Sequence, residues 1–387
     1  MFKIQTLNNI SEKGLELLPK DTYEISNDCA NPDGILVRSA KMHGMEFPPS
    51  LKAVARAGAG VNNIPIDECS EKGIVVFNTP GANANGVKEL VLTGLFLSSR
   101  KIVEGIQWTK SLKGKGDEVP KLVEKGKGEF AGPEILGKKL GVIGLGAIGV
   151  LVANAANALG MDVQGYDPYM SIDAAWGLSR DVHRAISLDS MLAECDYITI
   201  HVPLLDETKN MLNKEKFALM KKGVRILNFS RGELVNNTDL IEAIKAGIVA
   251  SYVTDFPSDE LIDVENIITI PHLGASTPES EDNCAVMAVE QLRNYLEHGN
   301  IKNSVNFPDC EMARTTNYRT VVAHRNIRNM VGQITTILAH ADINIMDMMN
   351  KSKKDWAYTI IDSDKKVEED IVAKIRAIDG VVFVRTL

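Results

Sequence analysis

Cysteine is scarce and carries no pattern: Cys29, Cys69, Cys195, Cys284 and Cys310 are odd in number and form no CxxC spacing. This argues against a disulfide framework and a zinc site, so no metal is expected. A reduced, cytoplasmic setting is the expectation. Long apolar runs are lacking too, and none approaches the ~20 residues of a spanning helix, so no membrane partner is expected. The stretch Met1–Leu7 reads as a first strand and lacks a basic region followed by an apolar run, which argues against a secretory signal. Positive charge is in deficit, with 43 Lys and Arg against 51 Asp and Glu. The broad basic face that nucleic-acid binding requires is therefore excluded, and an anionic ligand must be met by a local cluster.

What the sequence does have is a glycine fingerprint in the right context. The apolar strand Leu140–Ile143 runs into Gly144-Leu145-Gly146-Ala147-Ile148-Gly149, an alanine-rich helix follows over Ala147–Leu159, and a second strand, Val163–Tyr166, delivers Asp167. Three glycines so spaced serve a tight turn, the close approach of a pyrophosphate and close helix-on-strand packing. The helix N-terminus offers unpaired N–H groups to phosphate. Asp167 stands 18 residues past Gly149, where a carboxylate binds both ribose hydroxyls and repels a 2′-phosphate. The implied cofactor is NAD.

The rest of the chain alternates helical and strand patterns. Strands are expected at Lys3–Leu7, Tyr23–Ser26, Ile35–Arg38, Ala53–Ala57 and Val75–Asn78, with Ser11 capping a first helix. One long helix is expected over Val87–Lys110 and an irregular passage over Ser111–Gly132. Further helix–strand pairs then lead to strands at Tyr197–His201, Arg225–Phe229, Ala250–Asp255 and Ile267–Ile270. Thr277-Pro278 starts a helix that Gly299 ends. Asn303–Thr316 carries Pro308 and no period. Beyond it the order strand, helix, strand, strand, helix, strand predicts a small ferredoxin-like domain. The fold class is thus α/β, with two doubly wound parallel-sheet domains and a C-terminal βαββαβ domain. The expected boundaries are 1–96 with 278–302 for substrate, 97–277 for NAD, a linker at 303–317, and 318–387.

Three charged residues follow successive strands of the nucleotide domain: Arg231, Glu260 and His272. Oxidation of a 2-hydroxy acid needs a base for the hydroxyl proton, a cation for the carboxylate and an acid that favours the imidazolium; His, Arg and Glu supply these. His201 also ends a strand, and a cofactor-side or structural role is expected for it. Arg38, Lys41 and Arg56, at strand ends of the first domain, are candidate anion contacts.

The motifs Gly144–Gly149, Asn228-Phe229-Ser230-Arg231-Gly232, Pro271-His272-Leu273-Gly274-Ala275-Ser276-Thr277, Arg56-Ala57-Gly58-Ala59-Gly60-Val61 and Asn78-Thr79-Pro80-Gly81-Ala82-Asn83 resemble those of the D-2-hydroxyacid dehydrogenases. The likeness is strongest to members with one C-terminal ACT domain. It implies His272 as acid/base, Glu260 as its partner and Arg231 as the carboxylate ligand. It also implies substrate contacts from Arg56, Ala57, Gly58, Asn78, Thr79 and Asn83, with Arg56 leading at a phosphate. Gly144, Gly146, Ala147, Ile148, Gly149, Asp167, Val202, Pro203, Thr208, Phe229, Ser230 and Asp255 would line NAD. Alignment on Phe256 would instead put Asp259 in the slot given to Glu260. The substrate implied is D-3-phosphoglycerate; L-serine would be the effector, held by His324, Asn326, Asn329 and Asn344. A homodimer or homotetramer is expected. Two alternatives are another hydroxy acid as substrate, and a non-enzymatic NAD sensor or co-regulator on the same scaffold.

Overall fold

The computed structural model describes residues 1–387, which divide into two compact units, Met1–Ala82 with Pro278–Leu387 and Asn83–Thr277. In the first unit, β1 (Phe2–Thr6), β2 (Tyr23–Ser26), β3 (Gly34–Val37), β4 (Ala53–Arg56) and β5 (Val75–Phe77) form a parallel sheet in the order β2-β1-β3-β4-β5. Strand order reverses between β1 and β3, so the loops beyond their carboxyl ends diverge and open a crevice. The helix Pro278–His298 packs Ala285, Ala288, Val289 and Leu292 against Ile4, Leu36 and Ala55 of this sheet. Ser11 precedes the helix Glu12–Leu15 but makes no capping bond; its hydroxyl donates to Asp282 instead, at 2.5 Å.

The second unit holds a seven-stranded parallel sheet: β6 (Lys139–Ile143), β7 (Asp162–Tyr166), β8 (His183–Arg184), β9 (Tyr197–Ile200), β10 (Val224–Asn228), β11 (Val249–Thr254) and β12 (Ile267–Thr269), in the order β12-β11-β10-β9-β6-β7-β8. The reversal falls between β6 and β9, the place where a dinucleotide fold binds its ligand. The stretch 83–96, expected with the first unit, belongs here. Its helix, Ala84–Ser99, buries Val87, Val91 and Leu95 in the same core as Val142, Leu227 and Val253. A Cβ on Gly94 would come within 2.8 Å of the Phe229 ring.

The long helix expected from residue 87 to 110 is in fact two, Ala84–Ser99 and Ile102–Ser111. The hydroxyls of Ser98 and Ser99 both return to the carbonyl of Leu95, and Arg100 is extended. Such back-bonding competes with the helical ladder, which the apolar stripe in the sequence does not register. The passage read as irregular contains a helix, Val119–Gly126, opened by Pro120.

The C-terminal part of the first unit has β13 (Tyr318–Arg325), β14 (Ile345–Lys353), β15 (Trp356–Ser363) and β16 (Val381–Thr386), antiparallel in the order β14-β15-β13-β16. Alternation along the strands sends Val322, Ile361 and Val384 to the helices Met330–His340 and Glu369–Arg376. The opposite face sends Val321, Ala323, Trp356, Tyr358 and Ile360 into the core that also contains Tyr295, Leu296 and Phe307. This ferredoxin-like sheet is therefore covered on both faces and shares a core with the N-terminal sheet, where the sequence reading has it separate.

The segment expected as a linker is part of that packing. Ser304 bridges to Phe77, and the Asn306 side chain accepts from the Val76 N–H at 2.9 Å and donates to the Ile74 carbonyl at 2.9 Å. Phe307 and Cys310 are buried. Residues 303–306 cover the exposed edge of β5, a common fate for a sheet edge. Backbone bonds such as Val305 N–H to the Val76 carbonyl at 2.9 Å act beside the Asn306 side chain, over too few residues to leave a period. No helix is long and apolar enough to cross a membrane.

Candidate active site

The glycine turn after β6 is built as its spacing demands. Gly144 has φ +90°, and a Cβ there would meet the His201 backbone at 2.9 Å; a Cβ on Gly149 would lie 1.9 Å from the Gly144 carbonyl oxygen. Gly146 faces open space, with nothing within 4 Å of its Cβ position, which is the room a pyrophosphate needs. Ala147 and Ile148 form the first turn of the helix Ala147–Ala158. Asp167 lies just past β7, and its two carboxylate oxygens accept from the N–H groups of Leu145 and Tyr169, each at 2.8 Å. The carboxylate is thus locked beside the glycine turn. These residues fit a dinucleotide with a free 2′-hydroxyl.

Beyond β9, the Thr208 hydroxyl donates to the Pro203 carbonyl at 2.7 Å and accepts from the Leu205 N–H at 2.8 Å, which folds the Val202–Thr208 turn. Ser230 donates to the Val202 carbonyl at 2.6 Å and ties the loop after β10 to it. His201 makes a 2.9 Å bond to Thr199, and burial pushes its pKa down to about 3. A ring so held is neutral at physiological pH.

The loop after β10 is set by Asn228, a residue to which the sequence reading gave no role. Its buried amide donates to the Arg231 carbonyl at 2.9 Å and to the Tyr252 hydroxyl at 3.1 Å, and its oxygen accepts from the Ser230 N–H at 3.2 Å. Arg231 is consequently presented at the surface of the strand ends. Phe229 points inward and is buried.

His272 is exposed, in the loop after β12. Its ring packs on Phe256 with centroids 4.7 Å apart, and Phe256 also lies 3.3 Å from the Cβ position of Gly232, so one aromatic side chain supports both the histidine and the arginine loop. The acid that bears on His272 is Asp255, at the end of β11. Asp255 is 1% exposed; one oxygen accepts from the Gly274 N–H at 3.2 Å and the other is buried with no partner. Burial pushes its pKa up, and the charge of His272 opposes that. Glu260, expected beside His272, is exposed and accepts instead from the Asn237 amide at 3.3 Å. The turn Phe256–Asp259 carries it to the Asn237 side, which no spacing rule reveals.

In the first unit, Arg56 ends β4 and Ala57 and Gly58 follow it, while Asn78 and Thr79 follow β5. Asn78 donates to the Ala59 carbonyl at 2.6 Å and the Thr79 N–H to the Gly58 carbonyl at 3.2 Å, which draws these two loops together. Gln291 holds the Asn78 carbonyl at 3.1 Å. Arg38 is paired with Glu281 at 2.7 Å. Asn83 belongs to the second unit, where it precedes the helix Ala84–Ser99.

The four residues expected to hold an effector do not converge within one chain. His324 lies inside β13, 2% exposed, with its ring between the Arg325 carbonyl and the Thr359 hydroxyl at 2.8 and 2.9 Å. The strand runs on to Arg325, so the ring is held within the sheet. Asn326 and Asn329 are exposed in the following loop, near Asp355. Asn344 sits at the other end of the sheet, bonded through its N–H to Asp364 at 3.0 Å. The register Arg325↔Trp356 and Tyr318↔Ser363 separates the two ends by roughly 20 Å or more at 3.4 Å per residue.

Comparison with known proteins agrees with this geometry. Residues 92–274 match the family described as D-isomer specific 2-hydroxyacid dehydrogenase, NAD binding domain. A D-3-phosphoglycerate dehydrogenase of Archaeoglobus fulgidus is 31% identical over 87% of this chain and 64% of its own length. A Methanocaldococcus jannaschii protein of the same name is 32% identical over 84% and 61%. The chain thus spans less than two thirds of these two relatives. A Schizosaccharomyces pombe protein, provisionally given the same name, is 30% identical over 93% of this chain and 82% of its own. Among solved structures, the NAD+-bound 3-phosphoglycerate dehydrogenase of Entamoeba histolytica matches with a TM-score of 0.60 and 26% identity, over 79% of this chain and 98% of that one. With its glycine turn, Asp167, Arg231 and His272 at the strand ends of such a domain, the chain belongs to the D-isomer specific 2-hydroxyacid dehydrogenases.

Proposed function

We propose that this chain is an NAD-dependent D-3-phosphoglycerate dehydrogenase, which oxidises D-3-phosphoglycerate to 3-phosphohydroxypyruvate and so opens phosphorylated L-serine synthesis. The observation that carries the chemistry is the placement of Arg231, Asp255 and His272 after three neighbouring strands, β10, β11 and β12, beside a glycine turn shaped for a dinucleotide. NAD, when bound, supplies the hydride acceptor. His272 takes the proton of the C2 hydroxyl, and Arg231 holds the substrate carboxylate in bidentate fashion. Arg56 is the phosphate contact, supported by Ala57, Gly58, Asn78, Thr79 and Asn83. A homodimer or homotetramer with L-serine bound at paired C-terminal domains completes the reading.

The test is NADH-linked reduction of 3-phosphohydroxypyruvate beside hydroxypyruvate and glyoxylate, with and without L-serine. A strong preference for the phosphorylated acid is expected. Arg56→Ala should raise its KM by about 10- to 100-fold, in keeping with ~1.5–3 kcal/mol for a hydrogen bond to a charged group. Equal use of all three acids would point to another hydroxy acid, and NADH binding without turnover to a sensor.

The partner of His272 is a second prediction. Asp255→Asn removes the buried carboxylate whose charge interacts with that of His272, so kcat should fall while NADH binding persists. Glu260 bonds the Asn237 amide, and Glu260→Gln should leave kcat near that of the unmutated protein. A loss of kcat in Glu260→Gln alone would assign the role to Glu260.

A further inference from the structure

The proposed phosphate ligand, Arg56, is held by a framework of two asparagines. The Arg56 Nε donates to Asn63 Oδ1 at 3.1 Å. The Asn63 amide cannot be turned the other way, because its Nδ2 donates to the Ala40 carbonyl at 2.8 Å and lies 3.5 Å from that of Arg38. Those two carbonyls are themselves fixed: Asn8 Oδ1 accepts from the N–H groups of Arg38, Ser39 and Ala40 at 3.0, 2.9 and 2.9 Å. Asn8 follows β1 and residues 38–40 follow β3, so the framework stands at the crevice where strand order reverses. The Asn63 backbone is tied as well, since its carbonyl accepts from Met42 N–H at 2.8 Å.

The guanidinium so held lies across the glycine of its own loop. Gly58 has φ +155°, and a Cβ there would sit 2.5 Å from Arg56 Nη1. Glycine leaves the room, and Asn63 chooses the plane. A bidentate guanidinium contact depends on that plane, because two parallel N–H bonds must meet two oxygens at once.

We infer that Asn63 is a positioning residue for Arg56 and thereby sets selectivity for phosphorylated over unphosphorylated hydroxy acids. The inference rests on the function proposed above. Asn63→Ala should raise KM for 3-phosphohydroxypyruvate by about tenfold, the order of loss expected from a modest misplacement of a binding group, with kcat unchanged. KM for hydroxypyruvate, which has no phosphate, should not move; this readout separates a positioning role from general damage to the loop, and a melting curve reports the fold. A double-mutant cycle completes the test. Lysine has no Nε–H donor, so in an Arg56→Lys background Asn63→Ala should have no further effect on either substrate. If Asn63→Ala leaves the phosphorylated-substrate preference intact, or acts equally in the lysine background, the inference is overturned while the function stands. If the unmutated protein shows no preference for the phosphorylated acid, the function itself is overturned, and the inference with it.

Discussion

Replacing His272 by alanine is expected to cut kcat for every 2-oxo acid substrate by about 10²- to 10⁴-fold, the usual contribution of a positioned acid/base. NADH binding should persist, because the bonds that organise the glycine turn and Asp167, from Gly144, Leu145 and Tyr169, do not involve His272. The expectation rests on contrast between two histidines that both follow strands of one sheet. His201 is kept neutral by burial, with a pKa of about 3, and its ring bonds Thr199. His272 is exposed, backed by the Phe256 ring at 4.7 Å, and in the field of a buried carboxylate. Steady-state kinetics with NADH fluorescence titration checks it. Near-normal turnover in His272→Ala would move the acid/base role elsewhere.

Arg319→Ala is expected to destabilise the unit formed by Met1–Ala82 and Pro278–Leu387 by about 3–5 kcal/mol, the cost of stranding one member of a buried ion pair. Arg319 Nε and Nη2 meet the two oxygens of Asp362 at 2.6 and 2.9 Å, and both side chains are fully buried. Nη1 reaches the carbonyls of His298 and Met312, each at 3.0 Å. The substitution therefore breaks a pair and frees the end of the helix Pro278–His298 at the same time. Arg385 and Tyr358 bond the carbonyls of Tyr295, Leu296 and Gly299 in the same region. Denaturant unfolding followed by fluorescence measures the loss, and the double change Arg319→Met with Asp362→Leu should recover much of it. Burial alone would push the Asp362 carboxyl up, but Arg319 and Thr315 hold it below its ordinary value. Its stabilising effect is thus present above about pH 4 and lost as pH falls further, so the wild type should lose stability in acid more steeply than the double variant.

The nucleotide-binding half was legible because its mechanism lies in contiguous chain. A strand, a glycine turn and a helix are neighbours in sequence, and each glycine answers a local steric demand. Asp167 needs only one more strand to arrive beside Leu145. The elements before and after followed for the same reason, since periods of two and 3.6 report which face is buried. The acid that serves His272 is not fixed by local pattern. Glu260 and Asp255 both stand near the end of one strand, and which of them faces His272 depends on how the turn Phe256–Asp259 leaves the sheet and on the pull of Asn237. The burial of His324 is likewise not legible, because β13 continues past its apolar residues into a buried polar pair with Thr359.

By itself, then, the sequence determined the dinucleotide fingerprint, the parallel and ferredoxin-like sheets, and the chemical types able to move a proton and hold a carboxylate. These depend on local sterics and periodicity. Tertiary structure alone decided that residues 303–306 line the edge of β5, that the ferredoxin-like sheet shares a core with the N-terminal sheet, and that Asn8 and Asn63 fix Arg56. Each of these rests on polar groups or apolar faces meeting across separations such as 7 residues, for Arg56 and Asn63, and 232, for Ile74 and Asn306. Contacts of that kind leave no period, because their partners are chosen by the packing of elements rather than by neighbours along the chain.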